Sequence, residues 1–121
     1  MDEIRTGKHL DRLTMRRKQL MSTLQHLDKE QEQVERNTDW LDQAAYESRV
    51  ALLDRLSDWY RTEMAQIDRA LERIHHHEFG RCLACHDPIE RQRLEAAPAA
   101  EHCSRCQTQR DEFEHVQRLV G

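Results

Sequence analysis

The sequence predicts a mainly α-helical protein: a long antiparallel coiled-coil hairpin on a small four-cysteine base with a C-terminal helix. Three observations predict it. Two long stretches carry apolar residues at alternating spacings of three and four, a short polar segment joins them, and two Cys-x-x-Cys pairs follow. Composition agrees. With 37% hydrophobic and 35% charged residues, the chain is too polar for a large core, yet a coiled-coil seam needs only two apolar positions per heptad. The expected division is a hairpin over residues 1–77 and a base over residues 78–121.

The first stretch runs from about Asp2 to Arg36, with Gly7 as its one glycine and no proline. Leu10, Leu13, Leu20, Leu24, Leu27 and Val34 mark the seam, with Arg17 and Gln31 in the two polar slots. As one helix this stretch would be about 50 Å long.

Residues 37–48, NTDWLDQAAYES, read as the turn at the hairpin tip. Asn37 and Thr38 offer side-chain bonds that compete with helix continuation. Asp39 reads as an N-cap, with Asp42 as its acidic partner in the first turn of the next helix. Such caps are ordinary, so on this ground alone the two aspartates need no further role. Trp40, Leu41 and Tyr46 are large apolar groups where little core exists. They either fold back to close the seam or face a partner, for which aromatic anchors are suited.

The second stretch, about Asp39 to His77, keeps the same alternation through Val50, Leu53, Tyr60, Met64, Ile67, Leu71 and Ile74, with Ser57 as the polar slot. Matched length and a short join favour antiparallel pairing within one chain over an intermolecular dimer, so a monomer is expected. Trp59 lies on the flank beside Leu52 and Leu56, where it either widens the buried stripe or offers a side-on contact.

Cys82 and Cys85 form one pair and Cys103 and Cys106 another, with 17 residues between. Two residues between ligands bring both thiolates onto one metal, and two such knuckles complete the tetrahedron of a structural zinc site. All four ligands are then protein sulfur, leaving no open position for catalysis, and no enzymatic activity is expected. Paired disulfides are the competing reading, disfavoured by the reducing compartment expected below. His86 and His102 adjoin cysteines but are not needed. His75, His76 and His77 suit a helix C-terminus better than a metal site. Pro88 and Pro98 break the segment between the knuckles, where Ile89, Leu94, Ala96 and Ala97 supply apolar filling. A closing helix after Cys106 would pack Phe113, Val116, Leu119 and Val120 near Ile4 and Leu10.

The net charge is −4, and the residues after position 77 include six basic and eight acidic ones, a net −2. That balance argues against direct DNA binding, which leaves a basic footprint. The amino terminus lacks the apolar core of a signal peptide, and no apolar run approaches a membrane span. A cytoplasmic protein without membrane contact is expected.

Together the cysteine segment and the tip resemble the TraR/DksA family of bacterial transcription factors. Glu78 to Gln107 is similar to its zinc-finger signature, with Phe79, Gly80, Ile89, Arg93, Leu94, Ala96 and Pro98 beside the cysteines. Asp39, Asp42 and Ala44 read as the Asp-x-x-Asp-x-Ala of DksA-type tips, and Cys82 follows Asp42 by forty positions, as the hairpin arm requires.

The resemblance implies one structural zinc ion and a partner, RNA polymerase, whose secondary channel admits the coiled coil. The tip would then alter promoter-complex stability and lower initiation at ribosomal RNA promoters. Asp42 would be the principal effector, Asp39 and Ala44 would shape the tip, and Arg55 would grip the channel rim. Longer members carry an amino-terminal extension absent from this sequence. Members that respond to guanosine tetraphosphate (ppGpp) have basic residues where this chain has Gln66, Ala97 and Gln107, so little or no ppGpp dependence is expected. Readings that remain open are a transcript-cleavage-type factor for the same channel, a zinc-ribbon DNA-binding protein, and an adaptor.

Overall fold

A computed structural model of the chain describes residues 2–37 and 42–120, the side chains of residues 2–5 excepted. Among the described residues there are four helices: α1 (Asp2–Arg36), α2 (Gln43–His75), α3 (Arg91–Ala96) and α4 (Ser104–Val120). Among the described residues there is no strand, only an isolated antiparallel bridge between Arg81 and Pro88. The described helices include none long and apolar enough to cross a membrane.

The long helices arise where the periodicity predicts them. α1 ends at Arg36, and α2 starts at Gln43, later than the expected Asp39 but within the segment read as the turn, so Ala44 to Ser48 are helical. Asn37 ends α1 in the way its chemistry suggests: its amide Nδ2 donates to the Gln33 carbonyl at 2.8 Å, and its backbone N–H donates to the same oxygen. Asp39, Trp40 and Leu41 lie outside the described residues.

The chain packs as two compact units, Thr14–Ile67 and the pair of segments Met1–Leu13 and Asp68–Gly121. The expected boundary at residue 77 follows the end of α2, whereas this division follows packing and falls inside both long helices.

In Thr14–Ile67 the two helices run antiparallel. Leu24, Leu27 and Leu53 form a buried cluster against which Val34, Leu56, Tyr60 and Met64 pack. Leu20 and Ile67 are also buried. The seam's polar slots behave differently from one another. Arg17 and Gln31 are half-buried, and Gln31 Nε2 donates to Asp54 Oδ1 at 2.9 Å. Ser57 is buried, and its hydroxyl has no hydrogen-bond partner. Cross-helix ion pairs flank the seam: Arg16 grips Glu63 through two nitrogens, at 2.5 and 2.9 Å, Arg49 meets Glu30 at 3.0 Å, and Arg61 meets Asp28 at 3.6 Å. These pairs are largely exposed and contribute at most about 1 kcal/mol each, so the apolar seam holds the hairpin.

In the other unit, Leu13 and Ala70 are buried, whereas Leu10 is exposed, so the seam effectively starts one position later than its pattern suggests. The His9 ring lies against Phe79, with centroids 5.4 Å apart, and Arg12 Nη1 donates to the Glu95 carbonyl at 2.6 Å. Buried Arg73 was not legible as a core position. Its guanidinium lies near Glu101, which also accepts from Arg69 Nη2 at 2.8 Å.

The expected packing of α4 is corrected. Phe113, Val116, Leu119 and Val120 are all exposed, at 63%, 54%, 73% and 83%. Every residue of α4 from Thr108 onward is exposed, so the helix has an apolar side but no covering element. Ala96 and Ala97 are exposed too, and the filling between the knuckles comes from Ile89 and half-buried Leu94.

Candidate functional site

The first Cys-x-x-Cys pair sits in a tight loop closed by backbone bonds. The Ile89 N–H donates to the Gly80 carbonyl at 2.7 Å, the Cys82 N–H to the Asp87 carbonyl at 2.8 Å, and the His86 N–H to the Cys82 carbonyl at 2.9 Å. His86 reverses the chain with φ of 64°, and Gly80 holds φ of 87°. A Cβ at Gly80 would rest 3.6 Å from Leu94 Cδ1, which is ordinary contact, so backbone conformation rather than space selects glycine there.

The second pair is built into the start of α4. Cys103 immediately precedes the helix and its carbonyl accepts from Gln107, while its sulfur accepts the Cys106 N–H at 3.5 Å. Cys103 therefore caps the helix with the same sulfur that faces the cluster. The next free donor, the Ser104 N–H, goes to the Glu90 carboxylate at 3.2 Å, and the Ser104 hydroxyl donates to the same group. Arg93 Nε donates to the His102 carbonyl at 2.7 Å and the Leu83 N–H to the Glu101 carbonyl at 2.9 Å, tying the two knuckles together. Glu90 and Arg93 carry these links over 14 and 9 residues, a reach that spacing alone does not reveal.

The four sulfurs lie within 4.8 Å of one another, and those of Cys85 and Cys103 are 3.9 Å apart. A tetrahedral zinc–thiolate site with bonds of about 2.3 Å places its sulfurs about 3.8 Å apart, so the cage has the right size. Its electrostatics point the same way. Burial pushes the Cys82 thiol up, but backbone hydrogen bonds at Cys85, Cys103 and Ala84 outweigh it and bring the value to about 6. The Cys106 thiol, hydrogen-bonded to Cys103 and buried among the others, is pushed up to about 12. One sulfur ionises readily beside another that resists, and four thiolates share this space only with a cation among them. His86 and His102 are not part of the cluster. At the end of α2, His76 Nε2 pairs instead with Glu72 at 2.8 Å, and His75, His76 and His77 are exposed.

The turn between α1 and α2 has its own local logic. Asp42 Oδ1 accepts the Ala45 N–H at 2.7 Å, and the Asp42 carbonyl accepts the Tyr46 N–H at 3.0 Å. This corrects the expected arrangement: Asp42 is itself the N-cap of α2 and not an acidic residue inside its first turn. Asp39 and Trp40 fall outside the described residues, and Ala44 is exposed in the first turn of α2.

Further along α2, Trp59 is 72% exposed, which excludes the widened-stripe reading. It lines an open groove of about 650 Å³ with Arg55, Asp58, Thr62, Glu63 and Gln66. The groove is roomy enough for a nucleotide, but its lining sets one guanidinium against two carboxylates.

Three comparisons with known proteins bear on these sites. The family described as "Prokaryotic dksA/traR C4-type zinc finger" matches residues 77–112. The RNA polymerase-binding transcription factor DksA of Escherichia coli K12 and that of Salmonella typhimurium are each 36% identical to the chain over 70 residues, covering 58% of this chain and 46% of theirs. The match thus spans about half the length of these curated relatives. The fold is similar to that of transcription factor DksA2 from Pseudomonas aeruginosa, with a TM-score of 0.85 and 28% identity over 95% of this chain and 89% of that one. A second likeness, at TM-score 0.57 and 21% identity over 93% of each chain, is to the RNA polymerase binding protein and transcriptional regulator Dks from Chlamydia trachomatis, and concerns the fold alone. With the cage geometry, the zinc-finger match assigns Cys82, Cys85, Cys103 and Cys106 as ligands of one structural zinc ion.

Proposed function

We propose that the chain is a TraR/DksA-type, non-enzymatic regulator of transcription that binds RNA polymerase directly, in the cytoplasm and as a monomer. Residues 1–77 form the inserting hairpin and residues 78–121 the zinc-bound base. The turn between α1 and α2 enters the secondary channel, where it changes the stability of open promoter complexes and lowers initiation at ribosomal RNA promoters. Asp42 is the effector, Asp39 and Ala44 shape the turn, and Arg55, Trp40 and Trp59 contact the polymerase.

The observation that carries this reading is the state of Asp42. One oxygen of its carboxylate is held by the Ala45 N–H, so the side chain has a fixed direction, yet the residue is exposed. A carboxylate oriented in this way can accept hydrogen bonds from a partner, or repel its acidic groups, without first losing side-chain entropy. No bond needs to be made or broken by this chain.

Dependence on ppGpp is weak or absent. The groove beside Gln66 has Arg55 facing Asp58, with Glu63 already held by Arg16, so it offers little positive charge to a pyrophosphate group. Gln107 is engaged with Asp111 at 2.9 Å, and Ala97 offers no donor beyond its backbone. A direct reading as a DNA-binding zinc ribbon is disfavoured by the net −2 charge after position 77.

Transcription in vitro with purified polymerase at a ribosomal RNA promoter and several others tests the proposal, comparing wild type with Asp42→Asn, each with and without ppGpp. The expected result is inhibition by wild type, loss of inhibition by Asp42→Asn, and retained polymerase binding in competition assays. Full inhibition by Asp42→Asn would overturn the effector role, and strong synergy with ppGpp would overturn nucleotide independence. Stimulated RNA cleavage in a backtracked complex would instead favour a cleavage factor.

A further inference from the structure

The Asp42 carboxylate acts only where the hairpin carries it, and the last part of the hairpin has no core. Leu27 and Leu53 are the buried residues nearest the turn. Among the described residues of 28–37 and 42–52 no side chain is buried, and Gln31, Val34, Tyr46 and Val50 are half-buried. At about 1.5 Å per residue, roughly 15 Å of α2 lie between Gln43 and Leu53. Apolar contact is non-directional, so half-buried valines alone leave small sliding and rotation of the two helix ends cheap.

Polar cross-links tie this stretch together. Arg49 meets Glu30 at 3.0 Å, but both side chains are long and exposed, and such pairs fix little. Gln31 is different. It occupies a seam position, is half-buried, and its Nε2 donates to Asp54 Oδ1 at 2.9 Å. Asp54 directly follows Leu53, so the bond sits where the buried seam gives out. A hydrogen bond to a carboxylate is stronger than one between neutral groups, and its geometry is met at only one placement of the two helices. A leucine at position 31 would continue the seam and bury more apolar surface. A polar side chain at a seam position instead gives up stability and specifies register.

We propose that Gln31 is a positioning residue for the turn: its bond to Asp54 sets the register of α2 on α1 beyond the last buried leucines, and so the place at which Asp42 is presented. The inference rests on the effector role of Asp42. It gives the seam's polar slot a task that an apolar side chain cannot perform, and it asks for no contact between Gln31 and the polymerase.

The test uses the full chain in transcription in vitro with purified RNA polymerase at a ribosomal RNA promoter, with polymerase affinity from competition and stability from urea unfolding. Gln31→Leu should unfold at an equal or higher urea concentration than wild type and keep its affinity for polymerase, yet its maximal inhibition should fall several-fold. A merely structural role would move inhibition and stability in the same direction. Gln31→Glu sets two carboxylates against each other and should also lose inhibition, whereas adding Asp54→Asn to it restores a donor–acceptor pair and should return most of the effect. Asp42→Asn is measured in parallel: full inhibition by that variant would overturn the effector role and this inference with it. Loss of inhibition by Asp42→Asn together with full inhibition by Gln31→Leu would overturn the positioning role alone. So would a loss in Gln31→Leu that follows lost stability or lost polymerase binding, or a double variant no better than Gln31→Glu.

Discussion

Asparagine and alanine treat Asp42 differently. Asparagine keeps an oxygen for the Ala45 N–H, so Asp42→Asn should leave stability within about 0.5 kcal/mol of wild type, whereas Asp42→Ala should cost about 1 kcal/mol. Urea unfolding separates the two, and only a charge-reading partner would reject both. His9 supplies a second residue-level expectation. Its Nδ1 is buried without a partner, and burial, with Arg12 nearby, holds its pKa below 6.5 against the opposing pull of Glu95. Because the folded value is depressed, the stability at stake is full above pH 6.5 and falls as pH drops below it, when the unfolded chain takes up the proton first. Urea midpoints at pH 8 and 5.5 should therefore differ more in wild type than in His9→Gln. Below about pH 4.5 the lowered carboxyls add to this loss: Arg16 lowers Glu63, backbone bonds including that from Ser104 lower Glu90, and Arg69 lowers Glu101 against the opposing effect of its burial.

Helices with a shared apolar seam were the most legible elements, because a period of 3.5 residues leaves its mark on many positions at once. Leu13, Leu20, Leu24, Leu27, Leu53 and Ile67 are buried as the pattern requires. Leu53 packs fully into the seam, so Leu53→Ala should cost about 2–5 kcal/mol in chemical denaturation. Periodicity also overreached. The apolar side of α4 carries the right spacing, but a spacing says only that a face could be buried, not that anything covers it. Phe113→Ser should accordingly change stability by less than about 0.5 kcal/mol, in sharp contrast to Leu53→Ala. What was not legible has a common physical basis. Glu90 capping Ser104, Arg93 reaching His102, and Asp42 taking the cap expected of Asp39 all depend on where the chain turns in space. Cysteine spacing announced the metal ligands, but not that Cys103 would also begin a helix.

At the scale of the molecule, the two compact units should respond differently to loss of zinc. Thr14–Ile67 has its own buried leucines, whereas the knuckles and the start of α4 close around the four sulfurs. Chelation should abolish amide protection around Ile89 and Cys106 while leaving that of Leu24 and Leu53, as hydrogen exchange can show. Cys103→Ser should behave like chelation, since it removes a ligand and weakens a helix start together. The division of the chain also has a consequence for its synthesis. Met1–Leu13 belongs with Asp68–Gly121, so its partners have not yet been translated when it leaves the ribosome. The intervening hairpin consists of neighbouring segments and can form while the ribosome is still at work, whereas the zinc unit must wait for the last cysteine. Until then the start of α1 meets only part of its native surroundings, such as Phe79 and the end of α2, and completion of the fold is timed by the arrival of Cys106 and by the supply of metal in the cell.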